Sequence, residues 1–189
     1  MLYVLKLWIF KVWLSGKMGM TYIFTGNGKG KTTAAFGMAF RYLGHGKNVV
    51  VVQFMKGKKT GEVSFIEDRN ISGIEIKQFG RDRFVNLKNP SEEDINLAKE
   101  AMDYARETVK KRKTDLIVLD ELNVAVHAGL VSEKDVLNFI DELPKETDLV
   151  ITGRWARKSI VDRADLVTEM KEIKHPFQKG VSAKKGAEY

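Results

Sequence analysis

Cysteine is absent from this 189-residue sequence. That excludes disulfides, thiolate nucleophiles and cysteine-ligated zinc or iron–sulfur centres, and it is consistent with a reducing, cytoplasmic setting. Histidine is scarce too: His45, His127 and His175 are scattered too widely to suggest a zinc site by spacing. Any metal is expected to be Mg²⁺ on oxygen ligands. A membrane-spanning run is also missing. The most apolar stretch, MLYVLKLWIFKVWLSGK at residues 1–17, is broken by Lys6 and Lys11. It is shorter than the roughly 20 apolar residues a transmembrane helix needs, and it lacks the layout of a signal peptide. Residues 1–17 are read as an N-terminal extension. A single domain is expected over 18–189, starting near Met18 or Met20, with no membrane partner.

Acid is in deficit: the formal net charge is +7. A nucleic-acid partner is one reading of such a balance. Solvated surface is the better reading, because the only dense basic run, Lys110 to Lys113, closes an expected helix, where cations complement the helix dipole. No segment combines basic residues with stacking aromatics as single-strand binders do, so no nucleic acid is expected.

What is present alternates strands with helices. Thr21–Phe24 reads as a strand, followed by a Gly-rich loop and a helix to Leu43 that Gly44 and Gly46 stop. Asn48–Phe54, with four consecutive valines, reads as a strand buried on both faces. Ile74–Phe79 reads as a third strand. Ser91, with Asp94 three residues on, caps a long helix to about Lys111. Asp115–Leu119 is an apolar strand ending at Asp120-Glu121. Ser132 caps a helix ending before Pro144. Leu149–Thr152 is a fifth strand, Ala156–Ala164 a helix and Leu166–Met170 a sixth strand, followed by a basic tail. No repeat or linker divides the chain. The expected fold is a doubly wound, mostly parallel sheet of about six strands in a three-layer α/β/α arrangement. In such sheets ligands sit at the carboxyl ends of strands. The Gly-rich loop, Asp120-Glu121 and Thr152-Gly153-Arg154 all follow strand ends.

The loop reads Thr25-Gly26-Asn27-Gly28-Lys29-Gly30-Lys31-Thr32-Thr33. It approximates the phosphate-binding pattern G-x-x-x-x-G-K-[ST], with Thr25 in the first glycine position. Gly26, Gly28 and Gly30 let successive amides approach phosphate oxygens as an anion nest. The following helix adds its positive N-terminal end. Lys31 supplies a point charge, and the Thr32 hydroxyl can ligate Mg²⁺. One of the two carboxylates, Asp120 or Glu121, is expected to hold the same ion. A P-loop protein that binds ATP in a RecA-like fold follows.

Four stretches narrow this further: TGNGKGKTTAAFGMAFR (Thr25–Arg41) with GHGKNVVVVQFMKG (Gly44–Gly57), DLIVLDELNVAVHAGLV (Asp115–Val131), LVITGR (Leu149–Arg154) and ADLVTEMKEIKHPFQKGVSAKKGAEY (Ala164–Tyr189). From about Met18 onward the chain resembles the P-loop ATP:cob(I)alamin adenosyltransferases, which adenosylate corrinoids. The resemblance implies transfer of the 5′-deoxyadenosyl group of ATP to a Co(I) corrinoid, with triphosphate as leaving group. It implies that residues Gly26 to Thr33 bind the triphosphate, that Lys31, Thr32 and Glu121 are the catalytic set, and that Thr32 and Glu121 hold the metal with Asp120 in support. It places Arg41 near the nucleoside and Arg154 near the phosphates or the tail. It also implies a homodimer, a flavin-type reductase as partner, and a Lys174-His175-Pro176-Phe177 segment that closes over the site.

One stretch departs from the pattern. Better-known members carry Gly-Phe-Thr-Trp near the corrinoid, where this chain has Gly80-Arg81-Asp82-Arg83-Phe84-Val85-Asn86. Phe84 matches the phenylalanine and the tryptophan is missing. Arg81 and Arg83 are candidates to pair with corrinoid side-chain groups. Two other readings stand beside the transferase: a RecA-like ATPase acting on nucleic acid, and a non-catalytic corrinoid carrier.

Overall fold

The computed structural model describes residues 19–187; the expected extension at 1–17 lies outside them. The described chain runs β1 (Thr21–Thr25), α1 (Lys31–Gly44), β2 (Val49–Phe54), α2 (Gly61–Asp68), β3 (Ile74–Phe79), α3 (Glu92–Lys111), β4 (Leu116–Asp120), α4 (Leu122–His127), α5 (Glu133–Glu142), β5 (Asp148–Thr152), α6 (Lys158–Val161) and β6 (Leu166–Glu169), then a 3₁₀ turn (Pro176–Lys179). The six strands form one sheet in the order β3-β2-β4-β5-β1-β6, and every pairing is parallel.

Parallel strands covered on both faces need apolar side chains pointing both ways. All six residues of β2 and all five of β4 are buried. On one face Val50, Val52, Ile117, Leu119 and Ile151 pack under α3 and α5, whose contributions include Ala101, Met102, Ala105, Val136 and Phe139. On the other, Val49, Val51, Leu116, Val118 and Val150 meet Ala35, Phe36 and Ala39 of α1 and Ile66 of α2. Each fully buried valine, such as Val51, contributes about 1.5–3 kcal/mol. The three-layer sheet expected from the alternating pattern is the one observed.

The α3 terminus also follows the sequence. The Ser91 hydroxyl accepts from the Asp94 N–H while the Asp94 carboxylate accepts from the Ser91 N–H, a reciprocal capping box. Glu92, Glu93 and Asp94 occupy the first turn, with Lys110 and Lys111 in the last, as the helix dipole favours.

Three helices differ from the sequence reading, one of them α4 (Leu122–His127), which was not expected between the acids after β4 and Ser132. Helix α2 was not expected: its eight residues present only Val63 and Ile66 to the core, too short a pattern to show a period. The helix expected over Ala156–Ala164 is only Lys158–Val161. Trp155 before it has a left-handed φ of 61°. After it, the Asp165 N–H donates to Thr21 O and its carboxylate accepts from the Thr21 N–H, which draws the chain out of helix and into β6.

Strand order sets the site. Because β5 lies between β1 and β4, the Gly-rich loop after β1 and the acids after β4 are bridged by the end of β5, Thr152.

Candidate nucleotide-binding site

The loop between β1 and α1 closes as a tight arc. Gly26 and Gly30 adopt φ of 95° and 114°, the left-handed region that only glycine enters cheaply. Gly30 is the N-terminal cap of α1. The chain beyond β6 imposes a second constraint. A Cβ on Gly26 would lie 2.4 Å from Met170 O, and one on Gly28 would lie 2.7 Å from the same atom. Gly28 N–H donates to Met170 O at 2.7 Å, and Met170 N–H to Thr25 O at 2.8 Å. These glycines therefore admit a neighbouring backbone, that of Met170. Thr25, the departure from the motif, is the last residue of β1, and its hydroxyl accepts from the Ala156 N–H at 3.4 Å.

Lys31 curls back over the arc. Its Nζ donates to Gly26 O at 2.9 Å and Gly28 O at 2.7 Å. Burial lowers its pKa, against the pull of Glu121. An ammonium held by two loop carbonyls can exchange them for phosphate oxygens, whereas the Gly28 amide of the expected nest is taken by Met170 O.

Asp120 is the hub of the floor. Its Oδ1 accepts from Thr32 Oγ1 at 2.8 Å and Thr152 Oγ1 at 2.7 Å. Its Oδ2 accepts from Gln53 Nε2 at 2.9 Å and Lys56 Nζ at 2.6 Å. The carboxyl is fully buried. Burial would raise its pKa, but Lys56 and the hydroxyl and amide donors outweigh that and hold it low. With four donors on two oxygens, Asp120 is saturated. Glu121 is its opposite. It sits at φ 64°, a strained angle for a non-glycine residue. Its backbone N–H is held by Thr152 Oγ1 at 2.9 Å. Burial, then Asp120, raise its pKa. Its carboxylate lines the open cleft with Thr32 and Lys31.

Two members of this hub escaped the sequence reading, and a third, Thr152, is read there only as following a strand end. Gln53 is a fully buried amide in an otherwise apolar strand, paired in register with Asp120. Lys56 follows the same strand. Its ammonium lies 2.6 Å from Asp120 and 3.4 Å from Thr32 Oγ1; burial lowers its pKa, but Asp120, with Glu121 and Glu62, raises it more. Thr152 bridges Asp120 and Glu121. The available signal was polarity at the end of a buried strand, twice.

A cleft of ≈ 850 Å³ opens above this floor. Lys29, Gly30, Lys31, Thr32 and Thr33 form one wall; Lys56, Thr60, Glu62 and Phe65 form another, with Gly186 and Ala187 of the tail at the edge. Asn27 is exposed at the loop tip. Arg154 is exposed at the end of β5, close enough to act on the charges of both Lys31 and Glu121. Arg41 is exposed in the last turn of α1, ten residues and so about 15 Å along the helix from Lys31; it is not part of the cleft wall. The Lys174–Phe177 segment leads into the 3₁₀ turn, where His175 Nδ1 accepts from the Phe177 N–H at 3.2 Å. The tail reaches the cleft further on, at Gly186.

A smaller pocket of ≈ 210 Å³ adjoins the cleft and shares Lys56 and Thr60 with it. It contains Arg81, Arg83 and Phe84. Phe84 is wholly exposed. Arg83 is exposed and 3.9 Å from Glu93. Arg81 is engaged at the α3 terminus, bonding Asp94 at 2.5 Å, Glu93 at 2.7 Å and Ser91 Oγ at 3.1 Å. Its guanidinium orders the loop against the helix.

Residues 17–189 match the family model described as ATP:corrinoid adenosyltransferase BtuR/CobO/CobP. The chain belongs to this family. Curated corrinoid adenosyltransferases resemble it along most of their length: one from Sinorhizobium is 38% identical over 173 residues, covering 90% of this chain and 80% of the relative. The Escherichia coli K12 protein is 37% identical, covering 90% and 86%. That of Pseudomonas aeruginosa is 39% identical, covering 90% and 84%. Among solved structures, a KaiC-like protein from Pyrococcus horikoshii superposes with a TM-score of 0.53 at 18% identity, covering 83% of this chain and 75% of that one. That likeness carries the RecA-like fold alone. For this corrinoid adenosyltransferase family member, the phosphate loop, the hub on Asp120 and the cleft above them are the candidate site.

Proposed function

We propose that this enzyme joins the C5′ carbon of ATP to the cobalt of a reduced corrinoid and releases inorganic triphosphate whole. The supporting observation is the shared wall. The phosphate cleft and the pocket beside Phe84 meet at Lys56 and Thr60, so a nucleotide in one lies next to a second substrate in the other. The Co(I) electron pair forms the Co–C5′ bond, the C5′–O bond breaks, and its electrons remain on the triphosphate. No protein nucleophile is needed, because the corrinoid brings its own. The protein's part is to hold the leaving group. Loop amides, the α1 terminus, Lys31 and Arg154 face the charge that grows on it, and Lys56 can shift from Asp120 towards a phosphate oxygen.

The donor set suits magnesium. Thr32 and Glu121 offer hard oxygens at the cleft, and no group of three or more acids or histidines gathers among the described residues. The remaining ligands would be phosphate oxygens and water, as Mg²⁺ prefers. Thr32 and Glu121 would hold the ion, with the saturated Asp120 fixing the Thr32 hydroxyl. When bound, the ion supplies positive charge to the leaving oxygens.

A homodimer belongs to the same reading. Leu166 and Val167 on the edge strand β6, and Ile173 and Phe177 beyond it, are apolar and exposed, as a surface for a second copy requires. Electrons for Co(I) come in this reading from a flavin-type reductase in the cytoplasm. No described helix is long and apolar enough to cross a membrane.

The test is a single incubation of the protein with Mg²⁺-ATP and chemically reduced cobalamin. Adenosylcobalamin and triphosphate are expected in equal amounts. ADP and phosphate with no Co–C bond would overturn the reading.

A further inference from the structure

The cleft changes chemistry along its length. At the loop end it is cationic, with Lys31, Lys56 and the amides of the arc. At the other end it is aromatic. Phe40 of α1 and Phe65 of α2 meet edge to face, ring centroids 6.4 Å apart and planes at 84°. Both rings line the cleft, yet they remain 40% and 49% exposed. Arg69 lies over one side of the Phe65 ring, 6.0 Å from its centroid; otherwise these two large apolar side chains stay half in solvent within a polar cleft.

Three further features lie between these ends. Thr60 caps α2 without using its side chain, and its buried hydroxyl has no hydrogen-bond partner. It lines the same cleft. Thr33, Gly37 and Phe40 share one stripe of α1, being four and seven residues apart. Thr33 and Phe40 border the cleft. Gly37 between them is exposed, and a Cβ there would meet nothing within 4 Å. No packing contact requires this glycine, although glycine inside a helix weakens it. Its effect is to leave the helix surface bare between the phosphate end and the aromatic end. From Thr32 to Phe40 is eight residues, about 12 Å along the helix axis, which suits the span from the phosphates of an extended nucleoside triphosphate to its base.

The geometry points to Phe40 and Phe65 as the base-binding platform of this site, with the bare stripe at Gly37 as the floor under the sugar. A purine ring covers one phenylalanine face and meets the edge of the other, and the Thr60 hydroxyl is placed for a ribose oxygen. Stacking supplies this contact through the π-face of the base. The inference rests on the proposed nucleotide site and assigns its distal half to residues that the phosphate motif does not contain.

Titration calorimetry of the full chain with Mg²⁺-ATP and, separately, Mg²⁺-tripolyphosphate tests it. Phe40→Ala and Phe65→Ala should each weaken ATP by about tenfold or more and leave tripolyphosphate within twofold. Phe65→Trp should keep ATP affinity. Gly37→Leu provides a variant that removes nothing: it should raise the melting temperature, as a better helix former, while weakening ATP and sparing tripolyphosphate. ATP affinity unchanged in both alanine variants overturns the assignment. So does an equal loss for both ligands, which would make the rings a prop for the loop. Wild-type protein that binds neither ligand overturns the nucleotide site itself, a result distinct from either of these.

Discussion

The two halves of the proposed active site are built to different standards. At the phosphate end the central charges are fixed in place: Asp120 accepts four hydrogen bonds and Lys31 is held by two carbonyls. Ten residues from Gly80 to Asn89 make up the other side without a helix or strand, and there Phe84 stands fully in solvent. The anchor of that loop is Arg81, which holds it to the start of α3. A triphosphate is a small, rigid, charged group, and preorganised donors stabilise it best. A corrinoid is large, with a broad ring face inside a rim of amide side chains, and an exposed aromatic on a tethered loop can fold onto that face when it arrives. The difference suggests a rigid grip on the leaving group beside an adaptable seat for the nucleophile.

The largest expected effect falls at the rigid end. Lys31→Ala should lower kcat/KM for adenosylcobalamin formation by about 10²–10³, with ATP affinity falling in parallel; retained activity would remove the account of the grip. Next is the hub. Asp120→Ala leaves the part-buried Lys56 ammonium without its counter-charge and the buried Gln53 and Thr152 donors without an acceptor, and should cost about 3–5 kcal/mol of folding stability, read from urea unfolding. Asp120→Asn should cost less, since its amide oxygen still accepts from the hydroxyls. Both variants remove the charge that balances Lys56, so equal costs would show that the hydrogen bonds from the hydroxyls add nothing beyond that charge.

Smaller effects separate the tether from the exposed ring. Ser91→Ala removes the cap of α3 and should cost about 1 kcal/mol. Burial raises the Asp94 carboxyl, but hydrogen bonds from Ser91 and Arg81 outweigh it and hold the group below the ordinary aspartate value. Its folded pKa lies below the unfolded one, so its contribution is complete at neutral pH and is lost as pH falls through the folded value. Asp94→Asn should therefore flatten the acid limb of a stability profile; an unchanged limb would refute the linkage. The smallest stability effect belongs to Phe84→Ala, within about 0.5 kcal/mol because the ring packs on nothing. The same variant should raise KM for the corrinoid while leaving KM for ATP alone, and an ATP effect would break the division between the two halves.

Most of the fold was legible because its signals are local. Four valines in a row, an apolar run ending in Asp-Glu, and Ser-x-x-Asp before a helix each state their structure within a few residues. Helix α2 was not legible, since two buried residues in eight make no period. The phosphate loop could be read as a motif, yet Lys56 could not. Its partner Asp120 is 64 residues away, and only the pairing of β2 with β4 brings them together. Phe40 looked like one more apolar residue of α1 until Phe65 was found beside it.

By itself the sequence determined the layered parallel sheet, the phosphate loop and the family, because period, glycine spacing and motif are properties of neighbouring residues. Only the tertiary structure decided what each charge does. It made Asp120 a saturated hub and left Glu121 open to the cleft. It committed Arg81 to a helix end, left Arg41 outside the cleft wall, and showed that Gly26 and Gly28 make room for the Met170 backbone. The physical reason is common to all of them. A charge acts through the partners and the burial it meets in space, and strand order, not chain order, chooses those.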